Sequence, residues 1–229
     1  HLRTRRQRQM CIRDSTKMIS GQPMSKLEII KKHITEQEIE AGRKKGSVKL
    51  IAVSKTKPMD QIKPVVDEGQ IHFGENKVQE ALLKWQEFKS ENKNIDLHLL
   101  GPLQSNKVKK VFGLFDYIHS LDRNSLAEKI SDEAQKKGFC PKIFIQVNTG
   151  LEQQKSGIEP EKLPEFLSVI RKNMYLNIVG LMCIPPINEA PEKHFKFLKN
   201  LADENGLLEL SMGMSSDCLL YTSDAADES

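Results

Sequence analysis

The sequence has few cysteines and none spaced for a metal. Cys11, Cys140, Cys183 and Cys218 are scattered along 229 residues without a CxxC pair, which argues against both a zinc site and a disulfide framework. No apolar run approaches the ~20 residues of a membrane helix, and no segment has the charged, then apolar, then small layout of a secretory signal. A cytoplasmic protein with reduced thiols and no membrane partner is expected. The six histidines, His1, His33, His72, His98, His119 and His194, form no HExxH or other paired ligand spacing, so no metal is expected. Glycine-rich nucleotide loops of the GxGxxG or Walker type are also missing. Basic charge is scarce in the body: of the net +4, residues 1–17 carry +5 and 218–229 carry −3, leaving +2 for 18–217. Recognition of nucleic acid calls for a basic face on the folded domain itself, so nucleic acid is not an expected partner.

The two ends stand apart from this near-neutral body. RQRQMCIRDS near the start and CLLYTSDAADES at the finish resemble translated sequencing-adapter read-through. Residues 1–17 are therefore read as a non-native or disordered arm, 218–229 as a non-native tail, and 18–217 as the folded domain. The domain opens with a helical period at Leu27, Ile30 and Ile34, with Ser25 and Glu28 spaced as a capping box. Strand-like and helix-like stretches then alternate. Strands are expected at 49–53, 70–73, 95–101, 114–120, 141–148, 175–184 and 207–210. Helices are expected at 59–68, 76–89, 105–111, from an Asp122 cap to 137, 160–172 and 190–204. Such alternation implies a parallel sheet, and seven units fit a (β/α)8 TIM barrel lacking its last β/α unit. An open doubly wound sheet is the alternative architecture.

Function in such a barrel collects where strands end, and two of those ends carry distinctive chemistry. KLIAVSKTKP (49–58) reads as a strand buried on both faces and closing on a lysine, with Lys55 on the same face as Ile51 and Val53. An amine with one dry side has its charged form disfavoured, as a lysine attacking an aldehyde requires; the competing reading is a solvated loop lysine. SMGMSSD (211–217) offers backbone N–H groups and small hydroxyls after the seventh strand, where barrels commonly seat a phosphate; the competing reading is an ordinary helix cap. Pyridoxal phosphate needs one amine and one phosphate seat. His98 and His119 read as hydrogen-bonded strand residues rather than catalysts, and Glu75 as a structural carboxylate.

The motifs IAVSKTKP, HFGENKVQE, HLLGPLQSNK, IHSLDR, QVNTGLEQQKSG, GLMCIPP and LSMGMSSD together resemble the pyridoxal phosphate homeostasis proteins, in register from about residue 25 to 217. The resemblance implies a barrel like the alanine racemase N-terminal domain, with Lys55 holding pyridoxal 5'-phosphate as a Schiff base. It also implies Ser215 and Ser216 near the phosphate, and Asn76, Asn148 and Met182 as pocket walls. A carrier and regulator of the cofactor is implied, serving pyridoxal-phosphate-dependent enzymes without turnover of its own. The family pattern continues beyond SMGMSSD with a further strand and an arginine-glycine segment that this chain lacks. A racemase-like enzyme is the alternative, but Tyr117, Tyr175 and Tyr221 match no racemase tyrosine motif.

Overall fold

A computed structural model describes residues 24–214. The arm at 1–17, the tail at 218–229, Tyr221 and the pair Ser215 and Ser216 lie outside the described residues. Helix α1 (Lys26–Glu40) begins at the expected capping box: the Ser25 hydroxyl accepts from the Glu28 N–H at 3.1 Å, and the Glu28 carboxylate accepts from the Ser25 N–H at 2.8 Å. Near its other end the buried Glu38 accepts from the N–H groups of Gly46 and Val48, at 2.8 and 2.6 Å, and from the Ser47 hydroxyl at 3.2 Å. That carboxylate staples α1 to the segment leading into the first strand.

The sheet has seven strands in chain order, every neighbouring pair parallel. They are β1 (Ala52–Val53), β2 (His72–Glu75), β3 (Asp96–Leu99), β4 (Tyr117–Leu121), β5 (Lys142–Gln146), β6 (Asn177–Met182) and β7 (Glu209–Ser211). The crossovers contain α2 (Met59–Asp67), α3 (Val78–Glu91), α4 (Val108–Val111), α5 (Asn124–Lys137), α6 (Leu163–Asn173) and α7 (Pro191–Glu204). Sequential order is the winding of a TIM-type barrel, not of a doubly wound sheet, whose order reverses. The sheet is strongly curved. His119 on β4 meets Ser211 on β7 at 2.7 Å, although strands three places apart in a flat sheet lie roughly 14 Å from each other. Lys49, just before β1, reaches Glu209 on β7 at 4.0 Å, so the two edges approach each other at the N-terminal end.

Two apolar layers follow from this curvature. The larger lies between sheet and helices and includes Phe73, Trp85, Leu97, Phe115, Ile118, Ile143 and Phe195, all buried. The smaller, Tyr117, Phe144 and Met182 with Val179 against it, lies on the inner face. Three local expectations need correction. The first strand is not covered on both faces: Val53 is 49% exposed, because β1 is a two-residue edge strand whose inner side opens to the mouth. Asp122 does not cap α5; Arg123 is the N-cap, and its guanidinium draws the Asp122 carboxylate away at 2.6 Å. The helix at 105–111 is a 3-10 turn, Ser105–Lys107, followed by the single turn of α4.

Candidate cofactor-binding site

The loop after β1 is fixed from beneath by a buried charge network. Glu75, the last residue of β2, is fully buried; its Oε1 accepts from the Ser54 hydroxyl at 2.7 Å and from the Trp85 indole N–H at 3.0 Å, and forms an ion pair with Lys84 Nζ at 2.7 Å. Lys84 in turn donates to the Ser54 carbonyl at 2.7 Å, to the Lys57 carbonyl at 3.2 Å and to Glu80 at 2.9 Å. Glu80 also receives the Thr56 N–H at 2.5 Å. Hydrogen bonds from Lys84 first, then from the Thr56 N–H, hold the Glu80 carboxyl below the usual carboxylate range. Thr56 sits at φ 63°, a left-handed conformation that a non-glycine residue adopts when its surroundings impose it. Side chains alternate as expected: Ser54 is buried, while Val53 and Lys55 face the open side. The result is an exposed amine on a backbone restrained by side chains of β2 and α3.

The other expected residues that are described, Asn76, Asn148 and Met182, stand at or just after the C-terminal ends of strands. Asn76 follows β2, half-buried, and its carbonyl lies where Gly101 passes so closely that a Cβ there would sit 2.2 Å from it. Asn148 follows β5 and is occupied with its own loop: its amide donates to the Glu152 carbonyl at 2.9 Å and its side-chain oxygen accepts the Glu152 N–H at 3.2 Å. Met182 ends β6 and is buried with Phe144 and Tyr117, an apolar floor on the inner face. Lys55 is exposed rather than half-dry, because nothing among the described residues covers the inner side of β1. Beside the mouth, a cleft between the loop after β5 and α7 is lined by Thr149, Gly150, Leu151, Lys193 and His194.

The inner face also carries a chain of imidazoles. His72 Nδ1 lies 3.3 Å from Asp96 Oδ2 and 3.2 Å from His98 Nε2; His98 Nδ1 lies 2.9 Å from His119 Nε2; His119 Nδ1 lies 2.7 Å from Ser211 Oγ. His98 stacks on Tyr117 and His119 on Phe144, with ring centroids 4.1 and 4.5 Å apart. Burial, reinforced by His119 and His72, pushes His98 down to about 2, and burial pushes His119 down to about 3. Both are neutral hydrogen-bonded strand residues at ordinary pH, as expected. The chain through His72 and the role of Lys84 were not expected. Their sequence signals are faint: a lone histidine in each of three consecutive strands, and an i, i+4 glutamate–lysine pair in α3.

The pattern of the alanine racemase N-terminal domain matches residues 32–228. A pyridoxal phosphate homeostasis protein of Aquifex aeolicus is 40% identical over 186 residues, 77% of this chain and 81% of that protein. The chain belongs to the pyridoxal phosphate homeostasis protein family. Within the structural surroundings of that family stands PipY of Synechococcus elongatus, solved both without and with PLP. It is 37% identical, and the match covers 84% of this chain and 94% of PipY, with TM-scores of 0.75 and 0.71 for the two forms. An alanine racemase of Clostridium difficile is 14% identical with a TM-score of 0.61 over 82% of this chain, a likeness of fold alone. The residues of this homeostasis-family mouth fit pyridoxal phosphate in chemistry: an accessible amine, an apolar floor for a flat ring, and a hydroxyl at Ser211.

Proposed function

We propose that this protein binds pyridoxal 5'-phosphate reversibly, with the Lys55 amine as its covalent anchor, and serves homeostasis of the cofactor rather than turnover of a substrate. The observation that carries this reading is the exposed Lys55 on a loop braced by Glu75, Lys84 and Glu80 at the barrel mouth. The cofactor supplies an aldehyde that an unprotonated amine attacks. Lys84 and Glu80 hold the loop so that the amine is presented without a search, which lowers the entropic cost of capture. Met182, with Phe144 and Tyr117, forms the apolar floor, and Asn76 and Asn148 line the walls. Ser215 and Ser216 are assigned to the phosphate, at the end of a frame read as seven units of a (β/α)8 barrel. The name shared by the relatives, homeostasis protein, and PipY with PLP bound support the reading.

Exposure of the anchor favours a carrier over an enzyme. A site that must hand its cargo to a recipient enzyme in the cytoplasm gains from an open mouth, whereas catalysis gains from excluding water. The racemase alternative requires a tyrosine opposite the lysine. Tyr117 is buried against His98, and Tyr175 lies before β6, at the end of the barrel away from the mouth. No group of three or more histidine, cysteine, aspartate or glutamate side chains is placed to hold a metal among the described residues, and no described helix is long and apolar enough to cross a membrane. Titration of the purified protein with pyridoxal phosphate tests the assignment. A visible absorbance band is expected in the wild type and lost in Lys55→Ala; an equal band in both would overturn it.

A further inference from the structure

The imidazole chain on the inner face has a direction, and a carboxylate sets it. Asp96 Oδ2 lies 3.3 Å from His72 Nδ1 as an ion-pair contact rather than a hydrogen bond, and its negative charge beside that nitrogen favours a proton there. His98 Nε2, at 3.2 Å from the same nitrogen, must then be the acceptor, and the His98 proton resides on Nδ1. It points at His119 Nε2 at 2.9 Å, which makes His119 an Nδ1–H tautomer as well. That N–H reaches Ser211 Oγ at 2.7 Å. The serine oxygen accepts, and its own hydrogen is left to point elsewhere. Register makes the path a staircase. His72 pairs with Asp96 at the start of β2 and β3, Gly74 pairs with His98, and Ser211 is the last residue of β7, beside Met182. The chain thus climbs from the N-terminal end of the barrel to its mouth.

We propose that Asp96, His72, His98 and His119 form a relay of fixed polarity that makes Ser211 a committed hydrogen-bond donor in the ligand-binding mouth. Ser211 is the binding residue; the three histidines and Asp96 are positioning residues that act through it. Stacking on Tyr117 and Phe144 keeps the two buried rings from rotating out of line. Both rings stay neutral, so the relay supplies orientation rather than charge. A free serine hydroxyl can donate or accept with equal ease, whereas one whose oxygen already accepts a short N–H bond is biased to donate. The mouth therefore selects a ligand atom that accepts, such as a phosphate oxygen, and this step deepens the cofactor-binding reading on which it rests.

The relay is tested without cofactor by long-range proton–nitrogen correlation on protein labelled with nitrogen-15 at histidine, at neutral pH. Isolated imidazole favours the Nε2–H tautomer in water. The relay requires His98 and His119 to show the opposite, Nδ1–H, form. An Nε2–H or averaged signal at either ring overturns the polarity, and Asp96→Asn should mix the tautomers if the carboxylate sets it; unchanged tautomers in that variant overturn the role of Asp96. The wild-type spectrum stands whether or not the variant folds. On the ligand side, Ser211→Ala should weaken pyridoxal phosphate binding about tenfold, the effect of one hydrogen bond to a charged group, and Ser211→Thr should restore it. Wild-type affinity in Ser211→Ala overturns the donor role while leaving Lys55 intact. Absence of any band in the wild type defeats the cofactor reading instead, with the tautomers still deciding the relay.

Discussion

Glu75 gathers two hydrogen-bond donors and one ammonium on a single carboxylate oxygen in a fully buried position, and that ammonium, Lys84, holds the carbonyls on both sides of Lys55. Removing one member of a buried charged pair costs more than the pair itself contributes, because the partner's charge remains in a dry place. Lys84 keeps Glu80 as a second partner at 2.9 Å, which moderates the loss. Glu75→Gln is expected to destabilise the fold by about 2 kcal/mol, read by urea denaturation, and to loosen the Lys55 loop. That loosening should appear as faster amide exchange at Thr56 and Lys57, whose N–H groups are bonded to Glu80 and to the Ser54 carbonyl. At this scale the apolar run shows that Lys55 follows a strand, and the role proposed for it comes from the family motifs rather than from that run. Its support was not legible in the sequence, because a strand glutamate and a helical lysine meet only once the sheet and α3 are packed.

The elements were legible in existence and order because hydrophobic period and capping residues carry that information. Ser25 and Glu28 mark the start of α1, and Pro160 and Pro191 stand at first-turn positions. The strand ends were less legible: the run at 49–53 yields only two paired residues, since an edge strand has a neighbour on one side alone. Close approaches between elements leave no trace in a period at all. Gly101 is the clearest, for it lets the chain after β3 cross the carbonyl of Asn76. Gly101→Ala would place its Cβ 2.2 Å from that backbone oxygen. A loss of about 1–3 kcal/mol is expected from such overpacking, measured by thermal denaturation, with Asn76 displaced from the mouth. A melting temperature unchanged from wild type would show that β2 and β3 separate freely at that point.

Across the whole molecule, the curved sheet holds neutral imidazoles inside and the Lys55 amine exposed at its edge, and the buried imidazoles have a consequence for stability. His98 and His119 bind protons far less readily when folded than at their ordinary value of 6.5. The unfolded chain therefore takes up more protons below that value, and stability falls as pH drops through it. Each of the two should remove about 2 kcal/mol between neutral pH and pH 5. Denaturation midpoints across that window are expected to fall steeply, and His119→Phe, with one buried imidazole fewer, should flatten the slope. The open mouth is the other global property, and it sets the amine of Lys55 apart from the many other lysines of the chain by position and bracing rather than by burial. Borohydride reduction of the protein with equimolar pyridoxal phosphate, followed by peptide mapping, tests that distinction most directly. A single modified peptide carrying Lys55 is predicted; label spread over surface lysines, or none on Lys55, would contradict its assignment as the anchor.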